Sequence, residues 1–276
     1  MRVGLFDTGF SHLNWCCGYS APLNMTWDRN TPFDNKVVLF DDGWFEKVNE
    51  CPSDRIKIAW LLEPHVIHPD MYPYIEQNFY KFNYVVTSHK YLKDKIPNYV
   101  WHPSAGSWLY REEWGITPKN KNVSIIASHK NYAPGHQFRH VVISALRNKF
   151  DFICGKGYME VPNKKVAFVD YRFSVVIANC QEEGYFTDTL IDPLLLGTIP
   201  IYYGWPKIVE PFNPRGFIFF NSVEELSGIL DRVRRNGEQI YNEMLPYIKE
   251  NFETAKSFGI MEDFLYDNLL NKLEDK

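Results

Sequence analysis

Short apolar, β-branched runs alternate with longer amphipathic stretches along this chain. The short runs predict strands at residues 2–6, 36–40, 56–62, 84–87, 123–127, 150–154, 173–178, 199–203 and 217–220. Apolar residues at helical spacing predict helices at 70–81, 137–148, 187–196 and 223–235, and over most of the chain after 239. Strands separated by helices are typical of βαβ units with parallel sheets.

A polar, proline-containing stretch interrupts this alternation at residues 114–122, just before a new strand. Such a stretch is a candidate domain linker. We therefore expect an α/β fold with two Rossmann-like αβ lobes facing a cleft, formed by residues 1–117 and 118–276, and the last helix could cross back to the first lobe. Open parallel sheets bind ligands at the carboxyl ends of their strands. The first lobe would then hold an acceptor and the second a donor.

Composition excludes several classes of protein. The chain has 276 residues, of which 45% are hydrophobic, so it can bury a sizeable core. A net charge of −4 without a basic stripe speaks against nucleic-acid binding. There is no apolar run of roughly 18 residues to span a membrane, and the N-terminus is a poor signal peptide. The five cysteines suggest no disulfide framework, so we expect a cytoplasmic enzyme.

Residues 171–204 carry the strongest chemical pattern. A buried strand is followed by a polar loop in which Gly184 permits a sharp turn. Thr187 can cap the next helix, Asp188 lies in its first turn, and Gly197 ends it before another strand. The loop of such a βαβ unit can direct backbone N–H groups towards a phosphate. These residues alone are consistent with a nucleotide site or with an ordinary βαβ unit.

The same stretch reads F-S-x-x-x-x-N-x-x-x-x-G-Y-x-T-D-x-L-x-D-x-L-L-x-G-T-I-P-I-Y-Y-G. It resembles the donor-site signature of the α1,3/α1,4-fucosyltransferases, glycosyltransferase family ten. Weaker matches follow in the same order at residues 58–64, which end in Glu63-Pro64, and at residues 128–139. The resemblance covers roughly residues 56–220.

This resemblance implies a GT-B-type inverting glycosyltransferase that moves fucose from GDP-fucose to a glycan or glycoconjugate hydroxyl and needs no metal or other cofactor. Glu63 stands where the family has its general base, and Arg139 where an arginine contacts the diphosphate. From the residues alone, Glu63 could instead be a buried acid paired with Arg55 or Lys57. The other expected donor-binding residues are Ser128, Lys130, Asn179, Gly184, Tyr185, Thr187, Asp188 and Thr189.

The chain departs from the family at three positions in the motif. Asp188 and Thr189 stand where the family has Glu and then Lys, and Ala178 stands where it has Glu. The threonine removes a cation that would touch the diphosphate. Another nucleotide-sugar is therefore an open alternative to GDP-fucose.

Two other readings of the sequence remain open. Asp41-Asp42-Gly43 ends a strand with two acids, as in metal-dependent glycosyltransferases of the single-domain type, and Glu63-Pro-His65-x-x-His68 could supply metal ligands. Alternatively, the altered motif could mark a non-catalytic nucleotide- or glycan-binding remnant. The acceptor, the linkage and the oligomeric state have no signature in the chain.

Overall fold

The computed structural model describes residues 1–10, 15–205 and 210–274. Within these ranges the strands are β1 (Arg2–Phe6), β2 (Thr26–Asp28), β3 (Val37–Asp41), β4 (Ile56–Leu61), β5 (Tyr84–Thr87), β6 (Tyr99–Trp101), β7 (Lys121–Ile126), β8 (Phe152–Cys154), β9 (Tyr171–Ile177), β10 (Ile199–Tyr203) and β11 (Ile218–Phe219). The α-helices are α1 (Met71–Asn78), α2 (Pro134–Leu146), α3 (Asp188–Leu195), α4 (Val223–Lys256) and α5 (Met261–Asn268).

Contacts divide the chain into two units. The first unit comprises Met1–Gly106, Glu182–Tyr185 and Ile260–Lys276, and the second comprises Ser107–Gln181 and Phe186–Gly259. The chain thus first passes from one unit to the other after Gly106, before the proline-containing stretch at 114–122 that the sequence predicts as a linker. The C-terminal segment belongs to the first unit because residues such as Leu265 and Leu270 pack in a hydrophobic cluster with residues of its sheet.

The first unit contains a six-stranded sheet in the order β2-β1-β3-β4-β5-β6, and every pairing in it is parallel. Alternate residues of β3 enter two different hydrophobic clusters, Val37 and Leu39 on one face and Val38 and Phe40 on the other. Residues of α5, among them Leu265, belong to the first of these clusters. Because both faces are covered, the strands are apolar at consecutive positions rather than alternating.

The second unit contains a five-stranded parallel sheet in the order β11-β10-β9-β7-β8. Its strand β9 lies between β10 and β7, and Phe173 and Val175 of β9 are buried. The predicted α/β class with two parallel-sheet units is confirmed. In each sheet the parallel strands bring the loops that follow them to a common edge.

Helix α4 is kinked where the sequence predicts a break, between residues 235 and 239. Only Asn236 departs from helical geometry, with φ −127° and ψ 23°. A Cβ on the next residue, Gly237, would lie 2.6 Å from Oδ1 of Asn122, so the helix passes close to β7 at this point. No helix in the described part of the chain is both long enough and apolar enough to cross a bilayer.

Candidate active site

Acidic residues follow three neighbouring strands of the first sheet. Asp7 follows β1, Asp42 follows β3, and Glu63 comes two residues after β4. The Oδ2 atom of Asp42 accepts hydrogen bonds from the backbone N–H groups of Leu62, at 3.0 Å, and Glu63, at 2.8 Å. The predicted base is therefore held to the end of a neighbouring strand through its own backbone.

Burial and the repulsion of neighbouring carboxylates raise the pKa values of Asp41 and Asp42. Burial, with a contribution from the nearby Glu63 carboxylate, raises the pKa of Asp42 to about 7 against the opposing effect of the two backbone hydrogen bonds. Burial and the charge of Asp42 hold the pKa of Asp41 well above its ordinary value, and Asp7 and Glu63 add to this. The cluster therefore retains protons at neutral pH, which is a setting in which a carboxylate can accept or exchange one.

Two further hydrogen bonds hold the backbone carbonyl groups of Leu62 and Glu63. The hydroxyl of Tyr72 in α1 donates to the Glu63 carbonyl at 2.8 Å, and Ser104 Oγ donates to the carbonyl of Leu62. The Glu63 side chain is half-buried. Arg55, which the sequence offered as its ion-pair partner, contacts Asp54 at 2.6 Å.

Neither metal pattern found in the sequence forms a coordination site in the described ranges. Across residues 1–10, 15–205 and 210–274, no three His, Cys, Asp or Glu side chains are grouped so that they could hold a metal ion. Asp41 and Asp42 instead belong to the acidic cluster around Glu63. The ring of His65 lies 5.2 Å from that of Tyr72.

In the second unit, Arg139 of α2 is aimed at the end of β9. It is 7% exposed, and its Nε donates to the Ile177 carbonyl at 2.8 Å while Nη2 donates to Asn179 Oδ1 at 2.8 Å. The helix comes this close because Gly135 has no side chain: a Cβ there would lie 1.8 Å from the Ala178 carbonyl oxygen. Two predicted donor-binding residues, Arg139 and Asn179, are thus in direct contact.

The surroundings of Arg139 are electropositive. Burial and the charges of Arg139 and Lys130 lower the pKa of the neighbouring His136 to about 4. Lys130 is exposed, with its ammonium 5.8 Å from the centre of the Tyr132 ring, and the predicted Ser128 is half-buried in the same loop after β7. The cations that disfavour protonation of His136 would favour the binding of an anion in the same place.

The loop between β9 and α3 does not stay within one unit. Asn179 and Thr187 belong to the second unit, whereas Gly184 and Tyr185 belong to the first and are buried there. Gly184 has φ +92°, and a Cβ on it would lie 2.2 Å from the Ser88 carbonyl oxygen. The structure therefore assigns two predicted donor residues to the unit that carries the predicted base.

The start of α3 has the cap that the sequence predicts. The Thr187 hydroxyl accepts a hydrogen bond from the Thr189 N–H at 3.3 Å. Asp188, in the first turn, forms an ion pair with Lys164. Asp188 is thus already engaged with a cation on the same unit.

A charged pair at α3, formed by Lys164 and Asp192, was not predicted from the sequence. Lys164 lies 4.3 Å from the Trp108 ring and 3.7 Å from Oδ2 of Asp192, which is fully buried. The Oδ1 atom of Asp192 accepts from Ser107 Oγ at 2.8 Å. Burial raises the pKa of Asp192 to about 7, against the opposing effect of Lys164 and with a contribution from Asp188. The sequence could have indicated this pair, because Asp192 is an acid among the apolar residues of α3.

A small cavity connects this group with Arg139. Its volume is about 20 Å³, enough for about one water molecule, and its lining includes Arg139, Lys164, Thr189 and Asp192. The second unit thus gathers two cations and two polar side chains around the ends of β9 and α3.

Comparison with known proteins shows that the chain is similar in sequence to a fucosyltransferase. No family model matches the chain. The chain is 31% identical over 159 residues to the α-(1,3)-fucosyltransferase FucT of Helicobacter pylori, a match that covers 55% of this chain and 28% of that protein. The matched stretch is therefore well under two thirds of that curated relative's length.

Solved structures share the fold. Crystal structures of an α1,3-fucosyltransferase with GDP and with GDP-fucose superpose with TM-scores of 0.54 and 0.53 at 18% identity, over 85% of this chain and 80% of theirs. A mutant of the T4 phage BGT in complex with UDP-glucose superposes with a TM-score of 0.51 at 11% identity, over 98% of this chain and 99% of that one. The fold is of the GT-B type.

Proposed function

We propose that this chain, a divergent relative of the α1,3-fucosyltransferases, is an inverting glycosyltransferase that moves fucose from GDP-fucose to a hydroxyl of a glycan or glycoconjugate. The observation that carries the proposal is the buried contact between Arg139 and Asn179 at the end of β9, within the stretch that resembles the donor-site signature. The similarity to a fucosyltransferase sequence and to the fold of fucosyltransferases in complex with GDP and GDP-fucose supports it.

The donor would bind at the carboxyl edge of the second sheet. The fixed positive charge of Arg139 and its electropositive surroundings favour a nucleoside diphosphate. As the sugar–phosphate bond breaks, negative charge grows on the leaving diphosphate, and fixed cations stabilise it without reorganisation. Thr187, Thr189 and Asp188 at the start of α3 would contact the same nucleotide, together with Ser128, Lys130, Gly184 and Tyr185.

The acceptor hydroxyl would be activated by Glu63. In a single displacement the acceptor oxygen bonds to the anomeric carbon, the bond to the diphosphate breaks, and the hydroxyl proton passes to the Glu63 carboxylate. Burial raises the pKa values of the neighbouring Asp41 and Asp42, which reduces the negative charge beside Glu63. A backbone held at Leu62 and Glu63 keeps this carboxylate in one place.

The test is transfer from GDP-fucose by the wild type and by Glu63→Gln. We expect kcat to fall by about 10²- to 10⁴-fold in the variant with unchanged affinity for GDP, because only proton transfer is removed. Glu50→Gln, at an exposed glutamate, is the control and should behave as the wild type. Equal turnover by Glu63→Gln and wild type would contradict the assignment of the base.

Two further measurements separate the alternatives. A thermal-shift panel of GDP, UDP, CDP and ADP identifies the base of the nucleotide, and we expect GDP to stabilise the protein most. The proposal requires no metal, so transfer should continue in excess chelator. Abolished transfer would favour the metal-dependent alternative, whereas nucleotide binding without release from any nucleotide-sugar would favour a non-catalytic binding protein.

A further inference from the structure

The loop that carries Glu63 is held by a glutamate that is distant in the sequence. The Oε2 atom of Glu182 accepts a hydrogen bond from the His65 N–H at 3.3 Å, and Oε1 accepts one from the Val66 N–H at 3.2 Å. These two amides come directly after Pro64, which has no N–H of its own. One carboxylate therefore binds both of the first donors that follow Glu63-Pro64.

Glu182 is itself fixed by its neighbours in the chain. The Glu183 carbonyl accepts from the Lys90 N–H at 3.2 Å, and the Gly184 carbonyl accepts from Trp101 Nε1 at 3.2 Å. The Glu182 side chain is 18% exposed. All of these residues belong to the first unit, so its carboxylate is a built part of that unit.

A second path leads from Glu182 to Glu63. His89 Nδ1 lies 3.3 Å from Oε2 of Glu182, and the His89 ring packs edge-on against Tyr72 with 5.1 Å between the ring centres. The Tyr72 hydroxyl donates to the Glu63 carbonyl at 2.8 Å. Glu182 thus contacts the loop after Glu63 directly. Through His89 it also supports Tyr72, the residue whose hydroxyl binds the Glu63 carbonyl.

We propose that Glu182 is a positioning residue for Glu63: its carboxylate fixes the turn after Pro64 and so keeps the base in its productive place. The catalytic part of this inference rests on the proposed function. In chain order Glu182 lies between Asn179 and Thr187, so the loop that carries predicted donor-binding residues also supplies the support of the base. Displacement of a reacting group by about 1 Å can cost about 100-fold in rate.

The kinetic test compares Glu182→Ala, Glu182→Gln and Glu183→Ala. We expect kcat for transfer from GDP-fucose to fall by about 100-fold in Glu182→Ala. Glu182→Gln should be less impaired, because its amide oxygen can still accept one of the two N–H groups. KM for GDP-fucose should change by less than about twofold, because Glu182 acts on the base and not on the nucleotide. The matched control Glu183→Ala removes the neighbouring, 52% exposed side chain and should keep wild-type kinetics.

Hydrogen exchange of the His65 and Val66 amides tests the contact without turnover. Both amides should exchange faster in Glu182→Ala than in the wild type, and Glu183→Ala should leave them unchanged. Unchanged exchange in Glu182→Ala would overturn the contact, and wild-type kcat in that variant would overturn the positioning role. A uniform loss of thermal stability and donor binding with kcat preserved would likewise overturn it. A wild type that transfers nothing would refute the proposed function and with it the catalytic role, whereas the exchange measurement would still decide the contact.

Discussion

Replacing Arg139 by alanine should destabilise the second unit markedly, because its guanidinium holds the end of β9. The side chain donates to the Ile177 carbonyl and to Asn179 Oδ1, each at 2.8 Å, and is 7% exposed. A hydrogen bond to a charged group contributes about 1.5–3 kcal/mol. Loss of two partners should therefore lower the free energy of unfolding by about 3–6 kcal/mol, and Asn179→Ala should lower it by about half as much.

Urea denaturation of the two single variants and the double variant measures this directly. Because the two side chains share a hydrogen bond, their effects should not add, and the coupling energy should be about 1.5 kcal/mol or more. Arg147→Ala, at an exposed arginine just after α2, is the matched control and should change stability by less than about 0.5 kcal/mol. Additive effects, or an Arg139→Ala variant as stable as Arg147→Ala, would refute the reasoning.

Two further substitutions test the surroundings of the site. Burial raises the pKa of Asp192 from its ordinary 3.8 to about 7 in the folded protein, so stability that is present below pH 3.8 is lost progressively as the pH rises to 7. Asp192→Asn does not ionise, so between pH 5 and pH 8 the free energy of unfolding of the wild type should fall relative to that of the variant by about 3 kcal/mol, whereas parallel denaturation curves would contradict this. Gly135→Ala should cost about 1–3 kcal/mol, because the new Cβ would lie 1.8 Å from the Ala178 carbonyl oxygen. Gly228→Ala, at an open position within α4, should instead stabilise by up to about 1 kcal/mol; equal thermal shifts for the two would contradict the close approach of α2 to β9.

The hydrophobic pattern was sufficient for most of the fold. Each of the nine predicted strands is present within about two residues at either end, because buried parallel strands are continuous apolar runs. The strands β2 (Thr26–Asp28) and β6 (Tyr99–Trp101), which form the two edges of the first sheet, were missed. The passage between units was predicted at 117 and occurs after Gly106, since units are defined by contacts and not by local polarity.

The motif also predicted residues of the candidate donor site. It drew attention to Asn179, Thr187 and Asp188, and the cap at Thr187 has the predicted form because capping depends only on adjacent residues. It gave no indication of Lys164, whose pairing with Asp188 joins residues 24 positions apart.

The sequence by itself determined the fold class of the protein: an alternation of apolar strands and amphipathic helices dictates parallel sheets. One long motif added a resemblance to the donor site of a glycosyltransferase family. Only the tertiary structure decided which side chains support the candidate site. Asp42 binds the Glu63 amide from the end of another strand, and Glu182 binds the next two amides from a segment 117 positions away from His65. Such contacts depend on where whole elements pack, and local pattern carries no information about partners that are distant along the chain.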